Sequence, residues 1–137
     1  MNIEPSGTRE VDIINDKIDD YNNSQVPFLH KESIKLNFCI KDKDDNVLAG
    51  INAILYGWKI LYVEVLFIDE KHRLKGLGSK LLRHVECEAA KLGGRLVHLD
   101  TFSFQAMDFY LKHGYEVFGI LDDCPEAHKR YYMKKIL

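Results

Sequence analysis

The run Arg73-Leu74-Lys75-Gly76-Leu77-Gly78-Ser79-Lys80 sets two glycines, one residue apart, among three cations. Leu77, Leu81, Leu82, Val85, Ala89 and Leu92 follow at helical spacing, so the glycines stand at a helix start. A helix start leaves its first N–H groups without intrahelical acceptors and carries partial positive charge. Glycine there lets an anion approach the backbone closely. The chemistry this pattern suits is a diphosphate seat. A second reactive group stands just upstream, because Glu64 is the only charge inside the apolar run Ile60–Ile68. A lone buried carboxylate is costly unless used or paired. Glu64 therefore reads either as a general base working through water or as half of a structural ion pair.

These groups need elements to position them. Val11, Ile14, Ile18 and Tyr21 predict an amphipathic helix over Val11–Tyr21, broken at Asn22–Pro27. Ile34–Ile40 alternates as a strand, Asp42–Asn46 is a charged turn, and Val47–Leu55 returns as the second strand of a hairpin. Ile60–Ile68 is apolar on both faces apart from Glu64, as a central strand is. After the long helix, which ends at Gly93-Gly94, come a strand at Leu96–Thr101 and a helix at Phe104–His113 with Ser103 as N-cap. Tyr115–Leu121 and Lys129–Lys135 close the chain as strands. The predicted class is α/β, as an α+β mixed sheet, mostly antiparallel and flanked by helices, in one domain over 1–137.

Composition narrows the partners. A net charge of −2 and a pI near 6.3 argue against general nucleic-acid binding. No apolar run approaches a membrane span, and the N-terminus has no signal-peptide pattern. Cys39, Cys87 and Cys124 are odd in number and widely spaced, which predicts reduced thiols and a cytoplasmic setting. The lack of CxxC or HxxxH gives a metal site no local support.

Two familiar phosphate patterns fail. A P-loop needs Gly-x-x-x-x-Gly-Lys-Ser/Thr, and a dinucleotide fingerprint needs a third glycine where Leu81 stands. The segment Arg73 to Gly78 instead fits Arg/Gln-x-x-Gly-x-Gly/Ala after a central strand. This resembles the acetyl-CoA signature of the GNAT superfamily of N-acetyltransferases. Ser103 to Tyr115 is similar to a later block of that family, with Ala106, Tyr110, Gly114 and Tyr115 in register and Ser103 where the family carries Asn. The resemblance spans about Ile34 to the C-terminus.

The resemblance implies an acetyl-CoA-dependent N-acetyltransferase acting on a primary amine by direct attack. It implies that acetyl-CoA wedges beside the central strand, pairs with Leu66, Phe67 and Ile68, and has its carbonyl polarised by the N–H of Leu66 or Phe67. Backbone N–H groups of Leu74, Lys75, Gly76, Leu77, Gly78 and Ser79 would hold the diphosphate, with Arg73 close by. Ser103 would partly replace the family's Asn at the cofactor. Tyr110 matches the tyrosine near the sulfur, as general acid and cofactor contact, with Glu64 as base. The amine, expected to be a small molecule, would sit against the segment Tyr21–Glu32 and the last strands. Relatives often pair through their terminal strands, so a homodimer is among the expectations. A catalytically silent acyl-CoA-binding module on the same fold is the alternative. Cys124 and His128 are read as bystanders, His98 and Asp100 as a local pair on one strand face, and Tyr131 and Tyr132 as packing on opposite faces.

Overall fold

The computed structural model describes residues 1–137. Helix α1 covers Thr8–Gln25, and strands β1 (Ile34–Lys35), β2 (Phe38–Lys41), β3 (Val47–Tyr56) and β4 (Ile60–Ile68) follow. Helix α2 is Leu77–Lys91, β5 is Leu96–Phe102, α3 is Met107–Lys112, β6 is Glu116–Asp122 and β7 is Lys129–Ile136. They form one seven-stranded sheet ordered β1-β3-β4-β5-β7-β6, with β2 also on β3. The β4–β5 pair is parallel and every other pair is antiparallel.

The core lies on one face of this sheet. Alternate residues of β3 to β5 and β7, including Ile51, Leu55, Leu61, Val97, Leu99 and Met133, are fully or almost fully buried against Leu82, Val85 and Ala89 of α2. Each large side chain of this set contributes about 1.5–3 kcal/mol of transfer free energy. One charge enters that core. Glu86 of α2 accepts the Tyr115 hydroxyl at 2.6 Å and Lys135 Nζ at 3.0 Å. Burial and this carboxylate push the Tyr115 phenol well above its ordinary range.

Three expectations change. The strand expected over Ile34–Ile40 is broken into β1 and β2, because Asn37 inserts its Oδ1 as acceptor for the Ala53 N–H at 3.1 Å. The helix expected over Phe104–His113 is shorter, and Ser103 does not cap it: α3 begins after Ala106 with no side-chain cap. The helix expected over Val11–Tyr21 is longer at both ends, and none of its residues is buried. Its C-terminal exit is pinned to the β3–β4 turn, where the Trp58 indole donates to the Val26 carbonyl at 2.8 Å.

Candidate active site

Residues 73–79 form the turn into α2. Gly76 adopts φ 77°, the left-handed conformation that costs an L-residue free energy, and an added Cβ there would meet nothing within 4 Å. Gly78 serves differently. A Cβ at Gly78 would lie 3.4 Å from Phe109 Cζ and 3.6 Å from Ile68 Cδ1, so this glycine lets α3 pack against α2. One glycine therefore shapes the turn and the other fits a ring. The space beside Gly76 is open, whereas the missing side chain of Gly78 faces protein.

The backbone of this turn has unmet donors. The helix ladder of α2 opens with the Lys80 N–H donating to the Gly76 carbonyl at 3.0 Å, and no N–H from Leu74 to Ser79 donates to a carbonyl outside the ladder. Those positions precede the first residue that an i→i−4 ladder can serve. No side chain caps the helix and no acid stands in its first turn. Lys75 and Lys80 are exposed beside it, and Arg73 Nε donates to the Ile68 carbonyl at 3.2 Å, tying the turn to the end of β4. The Ser79 hydroxyl is engaged with His113 Nε2 at 2.8 Å, leaving its backbone N–H as its free polar group.

Beside this turn the sheet opens. The parallel pairing of β4 with β5 runs from Ile60–Leu96 to Val63–Leu99 and stops, while both strands continue. From Glu64 to Ile68, β4 therefore offers an edge with no β5 partner. The opening begins at a bulge: Asn52 pairs with Val65 and Ala53 with Val63, so Glu64 is the extra residue. The bulge reverses the side-chain parity of the strand. Leu61 and Val63 face the core before it, and Leu66 and Ile68 pack toward the core after it. Glu64 itself is exposed, which corrects its reading as a buried carboxylate. It belongs to none of the molecule's ion pairs, so the structural-pair reading loses its partner.

Tyr110 projects from α3 into the core cluster against which Leu66 and Ile68 of β4 also pack. It is buried, in edge contact with Phe109 at 5.2 Å and Tyr115 at 5.6 Å. Burial, with a smaller push from the Asp100 carboxylate, raises its phenol to about 12. The one sealed, unpartnered side-chain polar atom in the molecule is His30 Nε2, so the Tyr110 hydroxyl keeps access to open space. The Ser103 hydroxyl accepts the Lys129 N–H at 3.1 Å and sits 3.4 Å from His128 Nδ1, which ties it to the start of β7 while the exposed hydroxyl keeps further hydrogen-bonding capacity.

A network on the opposite sheet face was largely hidden in the sequence. Asp100 accepts Arg130 Nη2 at 2.6 Å, Arg130 Nε at 2.9 Å and the Tyr62 hydroxyl at 2.9 Å. Tyr62 stacks on His98 at 4.9 Å, and the Tyr56 hydroxyl meets His98 Nε2 at 2.8 Å. Burial lowers the His98 pKa. So His98 and Asp100 do share a face, but each pairs with residues of neighbouring strands rather than with the other. The alternation of Tyr62, His98, Asp100, Arg130 and Tyr132 was the available signal; the pairing of strands was not.

A model of the GNAT acetyltransferase domain matches residues 35–117, more than half of the chain. The chain belongs to the GNAT acetyltransferase family. An acetyltransferase of Agrobacterium fabrum is 32% identical over 101 residues, covering 73% of this chain and 72% of that protein. The blasticidin-S acetyltransferase of Streptomyces morookaense is 32% identical over 81 residues, 58% of this chain and 60% of that protein. The crystal structure of a Bacillus cereus acetyltransferase superposes with TM-score 0.88 at 31% identity, over 100% of this chain and 98% of that one. The protein is thus a GNAT enzyme with acetyl-CoA as its acetyl donor, on the mixed sheet expected of it. No helix of it is long and apolar enough to cross a membrane. Within the GNAT fold, the open β4 edge and the unpaired amides of residues 74–79 fit a long, anion-bearing thioester. The cavity of about 400 Å³ lined by Asp19, Phe28, His30, Glu32 and Trp58 lies at the β3–β4 turn, the other end of the sheet.

Proposed function

We propose that this enzyme transfers the acetyl group to a primary amine of a small molecule, by direct attack while donor and acceptor are bound together. The observation that supports this best is the convergence at one place: the β4–β5 pairing ends, Glu64 bulges into the open, and the unpaired amides of residues 74–79 begin a few residues farther along the chain.

Acetyl-CoA supplies the acetyl group as an activated thioester. The amides of Leu74 to Ser79 hold the diphosphate, with Arg73, Lys75 and Lys80 adding positive charge. The free edge at Leu66, Phe67 and Ile68 receives the pantetheine arm, and the N–H of Leu66 or Phe67 donates to the carbonyl oxygen as negative charge grows there. An alkylamine is protonated near neutral pH and attacks only as the free base. Glu64 accepts its proton through water. The new C–N bond forms as the C–S bond breaks, and Tyr110 hands its phenolic proton to the departing sulfur. A phenol near 12 stays protonated across the working pH range, which is the state a donor needs.

A small acceptor suits the blasticidin-S relative, whose name gives a small molecule as its substrate. The acceptor lies on the Glu64 side of the opening, toward the open sheet face. Thiol release from acetyl-CoA across a panel of small amines tests this reading. Amine-dependent release that falls in Glu64→Gln supports it. No amine-dependent release on a broad panel of small amines would overturn it.

A further inference from the structure

Helix α1 runs for 18 residues without one buried side chain. Val11, Ile14, Ile18 and Tyr21 form a stripe along it and are 46%, 58%, 51% and 60% exposed. A helix of this length is marginal in water without tertiary packing, and its Asp and Asn content weakens it further. Its stripe needs a cover.

The sheet has a matching deficit. Its core face is covered by α2 and α3. On the other face stand Tyr62, Phe102 and Tyr132, with the exposed Phe118, Leu121 and Ile136 around them. We propose that these two surfaces cover each other between two copies of the chain, with α1 of each copy lying across the open sheet face of the other.

Two observations favour a second copy over a fold-back of α1 onto its own sheet. The exit of α1 is pinned by three bonds: Trp58 Nε1 donates to the Val26 carbonyl at 2.8 Å, the Leu29 N–H to the Gly57 carbonyl at 3.0 Å, and the Phe28 N–H to Asn23 Oδ1 at 2.9 Å. The Phe28 ring also packs 5.2 Å from Trp58. These hold the helix in a direction that leaves its own sheet uncovered. The superposition on the Bacillus cereus enzyme spans the whole chain, α1 included.

Charge fits the same pairing. Helix α1 carries Glu10, Asp12, Asp16, Asp19 and Asp20 against Arg9 and Lys17. Of the cations of β7, Lys135 is tied to Glu86 on the core side, Lys129 to Asp122 and Arg130 to Asp100, which leaves Lys134, about half exposed and 3.8 Å from Glu116, as the loosely held cation of the open face. Under a twofold axis the helix-on-sheet contact forms twice, so each residue pair contributes twice. The open face next to Glu64 would then be roofed by the partner's α1, and the acceptor side of each site would be built from two chains.

The dimer claim stands apart from the choice of acceptor and is tested without activity. Analytical ultracentrifugation of the full chain is expected to show a dimer. The double variant Ile14→Asp with Ile18→Asp, and separately Phe118→Asp, should each raise the dimer dissociation constant at least about tenfold. Because α1 contributes nothing to the core, the helix variant should keep the β-sheet circular dichroism and its acetyl-CoA-induced thermal shift. A mixture of isotope-labelled and unlabelled chains, treated with a zero-length carbodiimide, should give α1 carboxylate to β7 lysine links between labelled and unlabelled chains. A monomeric wild type, a dimer unmoved by both variants, or links confined to single chains would each overturn the proposal.

Discussion

Lys80→Glu sets the stability of the free enzyme against its hold on acetyl-CoA. Lys80 is exposed in the first turn of α2, where no acid and no side-chain cap meet the helix's positive end. A carboxylate at that end favours a helix by about 0.3–1 kcal/mol, and removing the cation removes an unfavourable contact of similar kind. The free protein should therefore melt higher, by about 2–4 °C for a domain of this size. The same change replaces attraction by repulsion at the diphosphate. At about 8 Å, unit charges interact by roughly 0.5–2 kcal/mol for effective dielectric constants between water and a protein surface, and reversal counts twice. Acetyl-CoA should bind about 1–4 kcal/mol more weakly, roughly fivefold to several hundredfold. The loss should shrink as salt screens the exposed charge. Thermal unfolding of the free protein and titration calorimetry with acetyl-CoA at two salt concentrations read both effects. Unchanged affinity at low salt would refute the placement of the diphosphate, and a lower melting temperature would refute the uncapped helix start.

The two glycines should respond differently to alanine. Gly76→Ala forces a Cβ into a left-handed residue and should cost about 1–2 kcal/mol in chemical denaturation, whereas Gly78→Ala, whose Cβ would only touch Phe109, should be neutral within about 0.5–1 kcal/mol. Tyr110→Phe should lower kcat at least about tenfold while leaving the acetyl-CoA dissociation constant within about twofold, as measured by stopped-flow turnover and calorimetry; equal turnover would remove the acid role. Alkaline stability carries a defined sign. Above pH 10 the unfolded chain releases its phenolic protons while folded Tyr110 keeps its own until about 12, so Tyr110's contribution, fully present below pH 10, declines by up to about 3 kcal/mol between these values. Urea unfolding of wild type and Tyr110→Phe across this window should show a shallower decline in the variant.

Much of this was legible in residue types and spacing because it depends on local order. The turn at Arg73–Ser79, the α2 stripe and the strand Ile60–Ile68 follow from neighbours in the chain, and Leu81, Leu82, Val85 and Ala89 are buried as their spacing implies. What failed needed partners distant in sequence. Glu64 read as a buried carboxylate, and only the pairing of Asn52 with Val65 and Ala53 with Val63 reveals the bulge that exposes it. The tie between the Ser103 hydroxyl and the Lys129 N–H was hidden because the two residues lie 26 apart in sequence. Gly78 resembled a phosphate-facing glycine because nothing local places Phe109 against it. Nothing local marks Glu86 as buried, because Tyr115 and Lys135, which close over it, lie far along the chain.

A crystal structure with acetyl-CoA bound tests the central claim most directly. The diphosphate oxygens are expected within hydrogen-bond distance of the N–H groups of residues 74–79, with the thioester lying between β4 and β5 beyond Val63. A ligand bound elsewhere, or a diphosphate held by side chains alone with those amides turned away, would contradict it.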